Sequence, residues 1–275
     1  MPFIHAGGLV VHFELTGPSG APVLLFANSL GTNFHLWDHQ VATFAPKFRV
    51  LRYDMRGHGL TDCPALPAEE IAYTLDQLAD DVSDLLDALG IDQVHFCGLS
   101  IGGIVGQAFA IRSPNRTLSL MLCDTAARIA TREIWEDRIA TVRTSGLASI
   151  ADGVLARWFT NGFIAKGSSD AGGFRNMLLR TPADGYVGCC CALRDADLRA
   201  QIGKITARTL VVVGAEDMAT PLPGARELAE GIRGAQLVVI PEAAHISPVE
   251  QPDAFNDALD RFLEFTAGSA HGRRS

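Results

Sequence analysis

Val94-His95-Phe96-Cys97-Gly98-Leu99-Ser100-Ile101-Gly102-Gly103 is the stretch on which the reading of this chain turns. Val94 to Cys97 have strand character, Gly98 to Gly102 form a Gly-x-Ser-x-Gly turn, and Ile104 to Arg112 read as a helix. In a tight strand–turn–helix the small residues at Gly98 and Gly102 let the backbone fold sharply. Ser100 is then held exposed at the helix N-terminus in a strained conformation. The pentapeptide alone is common. Its place between a strand and a helix makes it a nucleophile elbow rather than an ordinary βα turn with a capping serine.

Outward from the elbow, short apolar or β-branched runs recur at 9–15, 23–28, 49–54, 93–98, 118–124, 209–214 and 236–240. Most are continuous rather than alternating, the pattern of strands buried on both faces. Between them, 74–89 places Leu75, Leu78, Val82, Leu85, Leu86 and Leu89 at helical spacing, and Gly90 ends the run. Such alternation predicts an α/β fold, a mostly parallel central sheet with helices on both faces and right-handed crossovers. The pattern breaks between 126 and 205. Helix-like runs at 131–144, 147–160, 172–180 and 182–200 follow one another there without a strand, so this segment reads as an inserted helical cap. The expected organisation is a first core part at 1–125, the cap at 126–205, a second core part at 206–267 and a disordered tail at 268–275.

The chain has 275 residues, 48% of them hydrophobic and 20% charged, which describes a folded globular protein rather than a disordered or fibrous one. Its net charge of −8 argues against a nucleic-acid partner, which requires a basic face toward phosphate. Residues 128–208 nevertheless carry a net +4, leaving −12 on the remainder. No apolar run approaches the ~20 residues that cross a bilayer, so no membrane partner is expected. Met1-Pro2-Phe3-Ile4-His5 lacks the basic and apolar regions of a secretory signal, and the expected location is the cytoplasm. The cysteines, Cys63, Cys97, Cys123 and the run Cys189-Cys190-Cys191, contain no CxxC pair. They read as reduced thiols, with no metal site expected.

A serine hydroxyl is a weak nucleophile and needs a base, itself oriented by a third group. Leu210-Val211-Val212-Val213-Gly214-Ala215-Glu216-Asp217 is a strand running into a turn that ends in an acid. Asp124, at the end of the run 118–124, is a second candidate acid. Among eight histidines, His245 alone lies on a loop after the final strand. His35 and His39 are four apart but lack the glutamate of a zinc-protease motif, and His58 reads as turn packing.

Two further stretches carry a resemblance. Phe26-Ala27-Asn28-Ser29-Leu30-Gly31-Thr32 stands where α/β-hydrolases usually carry a His-Gly loop, and Tyr53-Asp54-Met55-Arg56-Gly57-His58-Gly59-Leu60-Thr61-Asp62 resembles that family's Asp-x-Arg-Gly-x-Gly turn. With the elbow, they make the chain similar to an α/β-hydrolase from Leu9 to Phe265. The Asn-Ser-Leu-Gly-Thr variant, together with Cys189-Cys190-Cys191-Ala192-Leu193-Arg194-Asp195-Ala196-Asp197-Leu198, resembles the 3-oxoadipate enol-lactonases of bacterial aromatic catabolism. The resemblance implies the chain order Ser-Asp-His, hence Ser100 as nucleophile, Asp217 as orienting acid and His245 as base. It further implies backbone oxyanion donors at Leu30 and Ile101, no cofactor, and a small anionic lactone as substrate.

Trp135 and Trp158, on cap helices, are candidates to wall the pocket, with core packing as the alternative. A carboxylesterase or a carbon–carbon bond hydrolase would use the same triad. A non-catalytic small-molecule sensor on the same scaffold would be expected to have lost part of the machinery, whereas here every part is present. Serine at position 100 departs from the aspartate of a dehalogenase and from the glycine of a dinucleotide fingerprint.

Overall fold

The computed structural model describes residues 2–64 and 72–271. Eight strands form one sheet: β1 Phe3–Ala6, β2 Leu9–Thr16, β3 Val23–Ala27, β4 Arg49–Tyr53, β5 Val94–Leu99, β6 Thr117–Cys123, β7 Arg208–Gly214 and β8 Gln236–Ile240. Their spatial order is β1-β2-β4-β3-β5-β6-β7-β8. The β1–β2 and β2–β4 pairs are antiparallel, and every other pair is parallel. Eleven α-helices are present among the described residues: α1 Asp38–Phe44, α2 Leu75–Ala88, α3 Ile101–Arg112, α4 Arg132–Ser145, α5 Ala151–Trp158, α6 Asn161–Ala165, α7 Ser169–Arg180, α8 Ala183–Asp195, α9 Leu222–Gly231, α10 Ser247–Glu250 and α11 Pro252–His271.

The seven strand-like runs fall on β2 to β8, within a few residues at each end. β3 is buried along its whole length, as a central parallel strand covered on both faces must be. α2 carries the expected apolar stripe and starts with a full capping box between Thr74 and Gln77. Between β6 and β7 the described chain is helical, with α4 packed against α8. The run expected at 182–200 ends at Asp195, where the backbone turns extended at Ala196. The tail expected from 268 also differs: α11 continues through His271, because only one weak breaker, Gly268, interrupts an otherwise helix-compatible run. Residues 272–275 of that tail lie outside the described residues.

The cap sits on the core through a face of small residues. A Cβ on Gly185 would lie 2.1 Å from the Gly57 carbonyl oxygen, and one on Gly188 would lie 2.6 Å from the Tyr73 ring. α8 can therefore approach the Gly57 backbone and the Tyr73 ring this closely only with glycine at those positions. Cys189, Cys190 and Cys191 fill the same buried helix, and all six cysteines are free thiols.

Candidate active site

The parallel register sets the carboxyl ends of five strands side by side. Ala27 on β3 pairs with Gly98 on β5, Leu99 with Cys123 on β6, Cys123 with Val212 on β7, and Gly214 with Ile240 on β8. The loops leaving this edge carry Leu30, Ser100, Asp124, Asp217 and His245 in that spatial order. Ligand sites of open parallel sheets lie along such an edge.

Ser100 joins β5 to α3 with φ 59° and ψ −117°, a left-handed conformation that a side-chain-bearing residue adopts only under constraint. The constraint is visible on both sides. The Ser100 amide donates to the Cys123 carbonyl at 3.0 Å, and Thr125 Oγ1 donates to the Ser100 carbonyl at 2.7 Å. The flanking glycines are required by space rather than by φ. A Cβ on Gly98 would meet the Gly102 carbonyl at 2.2 Å, and one on Gly102 would meet the Ala27 carbonyl at 2.4 Å.

His245 Nδ1 lies 2.9 Å from Asp217 Oδ2. An ionised carboxylate only accepts, so Nδ1 carries the proton and Nε2 is left as the basic nitrogen. Asp217 is held by three further donors: the Ala219 and Thr220 amides on Oδ1 at 2.7 and 3.0 Å, and Thr220 Oγ1 on Oδ2 at 2.6 Å. Burial alone would raise the Asp217 carboxyl, but the His245 charge and the bonds from His245 and Thr220 bring it below its ordinary value. Burial likewise pushes the His245 imidazole down. The Asp217 charge and hydrogen bond, with Asp124 behind them, outweigh that and raise it.

The structure thus brings Asp217, and not Asp124, to the imidazole. Asp124 accepts from the Gly214 amide at 2.7 Å and pairs with Ser247 Oγ at 2.5 Å. It ties the ends of β6 and β7 to the loop after His245. It is fully buried, and burial followed by the Asp217 charge holds its carboxyl well above the usual carboxylate range.

Leu30 and Ser100 line one cavity of about 600 Å³ together with His245. Among the described residues, neither the Leu30 amide nor the Ile101 amide donates to another protein group. The loop around Leu30 is fixed by its neighbours. Asn28 Nδ2 donates to the Tyr53 carbonyl at 2.8 Å, Trp37 Nε1 donates to Asn28 Oδ1 at 3.0 Å, and the Asn28 carbonyl accepts from the Gly102 amide at 3.1 Å.

His58, read from sequence as turn packing, has a more specific place. Its Nε2 accepts from the Gly31 amide at 3.0 Å while Nδ1 donates to the Arg56 carbonyl at 3.2 Å. Burial lowers its pKa, as the neutral tautomer needed to accept at Nε2 demands. Its link to the Leu30 loop spans 27 positions and leaves no local sequence signal.

Trp135 and Trp158 both reach the cavity wall and are both buried, so packing and lining coincide. Trp135 Nε1 donates to the Ile129 carbonyl at 2.6 Å, and Trp158 stands edge-on to Phe174. Sequence reasoning missed the charged lining. Arg138, Arg157 and Asp137 reach the cavity from the cap, with Tyr186 beside them. Arg138 donates to the Tyr186 hydroxyl at 3.0 Å and lies 5.9 Å from the Trp135 ring centre. Helix α4 carries Arg138 and Trp135 three apart, so a helical-spacing test on that run would have paired them.

A strained serine at a helix N-terminus, a carboxylate-oriented histidine and an unpaired Leu30 amide beside one cavity, with a second unpaired amide on Ile101 next to that serine, are the parts of an acyl-transfer site. The alpha/beta hydrolase family model matches residues 9–258, and the chain belongs to that family. It is an ester-hydrolysing enzyme. The chain is 40% identical to 3-oxoadipate enol-lactonase 2 of Acinetobacter baylyi, over 96% of this chain and 99% of that one. It is 36% identical to 3-oxoadipate enol-lactonase 1 of the same organism, over 94% of each. The crystal structure of the enol-lactonase from Burkholderia xenovorans LB400 superposes with a TM-score of 0.91 at 40% identity, covering 96% of this chain and all of that one. Among the described residues no helix is long and apolar enough to cross a membrane.

Proposed function

We propose that the protein opens 3-oxoadipate enol-lactone to 3-oxoadipate by a serine mechanism, as a step of bacterial aromatic catabolism. The observation that carries the mechanism is the 2.9 Å contact between His245 Nδ1 and Asp217 Oδ2, with His245 and Ser100 facing the same cavity. The names of the relatives support the substrate. Two cap arginines on the cavity wall, Arg138 and Arg157, give the lactone's carboxylate a place to bind, and Trp135 and Trp158 give its ring one.

Ser100 Oγ attacks the ring carbonyl carbon while His245 Nε2 takes the hydroxyl proton. Asp217 holds the imidazole in the productive tautomer and stabilises the cation that forms. The carbonyl oxygen becomes an oxyanion held by the Leu30 and Ile101 amides, where one lost donor typically costs about 3–4 kcal/mol. The carbon–oxygen bond of the ring then breaks. His245 returns the proton to the departing enolate, and the acyl group stays on Ser100. An enolate is a weaker base than an alkoxide and needs less help from that proton. Water, deprotonated by His245, then attacks the ester carbon, the carbon–Oγ bond breaks as His245 returns that proton to Ser100 Oγ, the acid is released and the enol tautomerises to the ketone.

A general carboxylesterase is the second reading, favoured by Ile134 and Met218, apolar side chains exposed where they line the same cavity. Comparing kcat/KM for the enol-lactone with that for p-nitrophenyl acetate, with Ser100→Ala as the blank, separates the two. The lactonase reading expects a preference of several orders of magnitude for the lactone and loss of turnover in Ser100→Ala. Brisk ester cleavage beside slow lactone opening would move the assignment to an esterase. Wild-type turnover in Ser100→Ala would sink the nucleophile.

A further inference from the structure

Glu250, five residues beyond His245, is buried and spans two parts of the molecule. Its Oε2 accepts from the Ala244 amide at 2.6 Å. Its Oε1 accepts from both the amide and the hydroxyl of Thr160, each at 2.8 Å. Thr160 lies in the cap, between α5 and α6, and its side chain also caps α6. On the other side of His245, the Ile246 amide donates to the carbonyl of Trp158, the last residue of α5, at 2.9 Å. The peptide units on both flanks of His245 are therefore fastened to cap residues 158–160, one directly and one through Glu250. Asp217, which holds the imidazole, and Ser100, which faces the same cavity, are carried by loops after core strands β7 and β5.

We infer that Glu250 is a positioning residue for His245, strapping the base-bearing loop to the α5–α6 corner of the cap so that the cap's seating on the core sets the alignment of the imidazole with Ser100. The inference rests on the serine-hydrolase reading above. It goes beyond that reading in giving the cap a part in the chemistry as well as in binding. Trp158 closes the link, since it lines the cavity while its carbonyl accepts from the Ile246 amide. A substrate seated against that residue presses on the element that fixes the base. The carboxylate is needed because three donors converge on two oxygens. Glutamine would turn one acceptor into a donor facing another N–H, and alanine would free all three donors.

The test uses Glu250→Gln, Glu250→Ala and Thr160→Val in the full chain, with lactone kinetics beside the rate at which a small fluorophosphonate labels Ser100, corrected for folded fraction. The label needs an aligned Ser100–His245 pair but little of the cap. The strap predicts a kcat lowered roughly tenfold to a hundredfold in the Glu250 variants, with KM within about threefold of wild type and labelling slowed in proportion. Thr160→Val, which removes one of the three bonds, should show a smaller loss of the same kind and keeps the test open where a Glu250 variant does not fold. A raised KM with unchanged kcat, or folded variants labelled at the wild-type rate, would overturn the strap. Failure of wild-type protein to label at Ser100 would overturn the serine-hydrolase reading, and the strap with it.

Discussion

Two buried aspartates stand near His245, and the chemistry depends on which of them the imidazole reads. Asp217 is ionised and bonded to Nδ1, while Asp124 is held toward its neutral form and bonded to Gly214 and Ser247. Asp217→Asn should lower kcat/KM by on the order of 10³- to 10⁴-fold, because the amide stabilises the wrong tautomer. Asp124→Asn keeps the shape of the group, and the amide can still accept from Gly214 and bond Ser247. It should keep kcat/KM within about threefold of wild type. Steady-state kinetics on the two variants settles the acid, and the reverse outcome would exchange the two assignments. The pH profile gives the sign of the coupling. His245 must be neutral to act as base, and its pKa is raised, so activity falls as pH drops through a value above its ordinary 6.5. Removing the Asp217 charge takes away a raising influence and should move the acid limb of the residual activity to lower pH. Ser100 and His245 were legible as residue types in a strand–turn–helix and on a last loop. The choice between the acids leaned to Asp217 on the match of its strand-turn, although each acid follows a strand. It is decided by loop geometry beyond the strands, where the Thr220 hydroxyl and the Ala219 and Thr220 amides gather around Asp217. Neither that cluster nor the link from His58 to Gly31 leaves a local pattern.

Among the elements, those with a long period were readable and those without one were not. The buried runs of β3 and β5 to β7 and the stripe of α2 declare themselves, whereas β1 is four residues of which only Ala6 is buried, and α1, α6 and α10 are too short to show a period. α11 is different: Phe255, Leu259, Phe262 and Leu263 are a plain helical stripe, so that helix was present in the sequence and went unassigned. The same contrast between crowded and open positions governs the glycines of two helices. On α3, a Cβ at Gly102 would press within 2.4 Å of the Ala27 carbonyl at the end of β3 and 2.8 Å of the Asn28 carbonyl, backbone atoms that lead into the Leu30 loop. Gly102→Ala should destabilise by about 1–3 kcal/mol and depress kcat by displacing Leu30. On α5, Gly153 is exposed with nothing within 4 Å of its virtual Cβ. Gly153→Ala should stabilise by about 0.5–1 kcal/mol through helix propensity alone, with turnover unchanged. Thermal melts of the two variants read opposite signs. A Gly102→Ala variant as stable as wild type would mean that the elbow is not sterically saturated.

At the scale of the whole molecule, the charge asymmetry legible in the sequence acquires a location. The cap region is positive and the rest negative, and two of the cap's arginines, Arg138 and Arg157, open onto the cavity. The sequence located the positive charge in one segment, but only the fold turns part of it inward. Other cap arginines are spent in exposed pairs, such as Arg132 and Arg194 with Asp195. An anionic substrate approaching a molecule of net charge −8 is repelled at long range and attracted near the cap. Salt acts on both terms, but the Debye length shrinks from about 30 Å at 0.01 M to about 10 Å at 0.1 M, so added salt removes the distant repulsion first. For the carboxylated lactone, kcat/KM should rise or hold steady over the first addition of salt and fall at higher ionic strength, where attraction at the arginines is screened. For neutral p-nitrophenyl acetate it should stay flat throughout. Arg138→Met should raise KM for the lactone by about tenfold or more, leave the neutral ester little changed, and flatten the fall at high salt. If both substrates respond to salt alike, or if Arg138→Met costs the neutral ester as much as the lactone, the arginine serves packing against Trp135 and Tyr186. The carboxylate would then bind elsewhere on the wall.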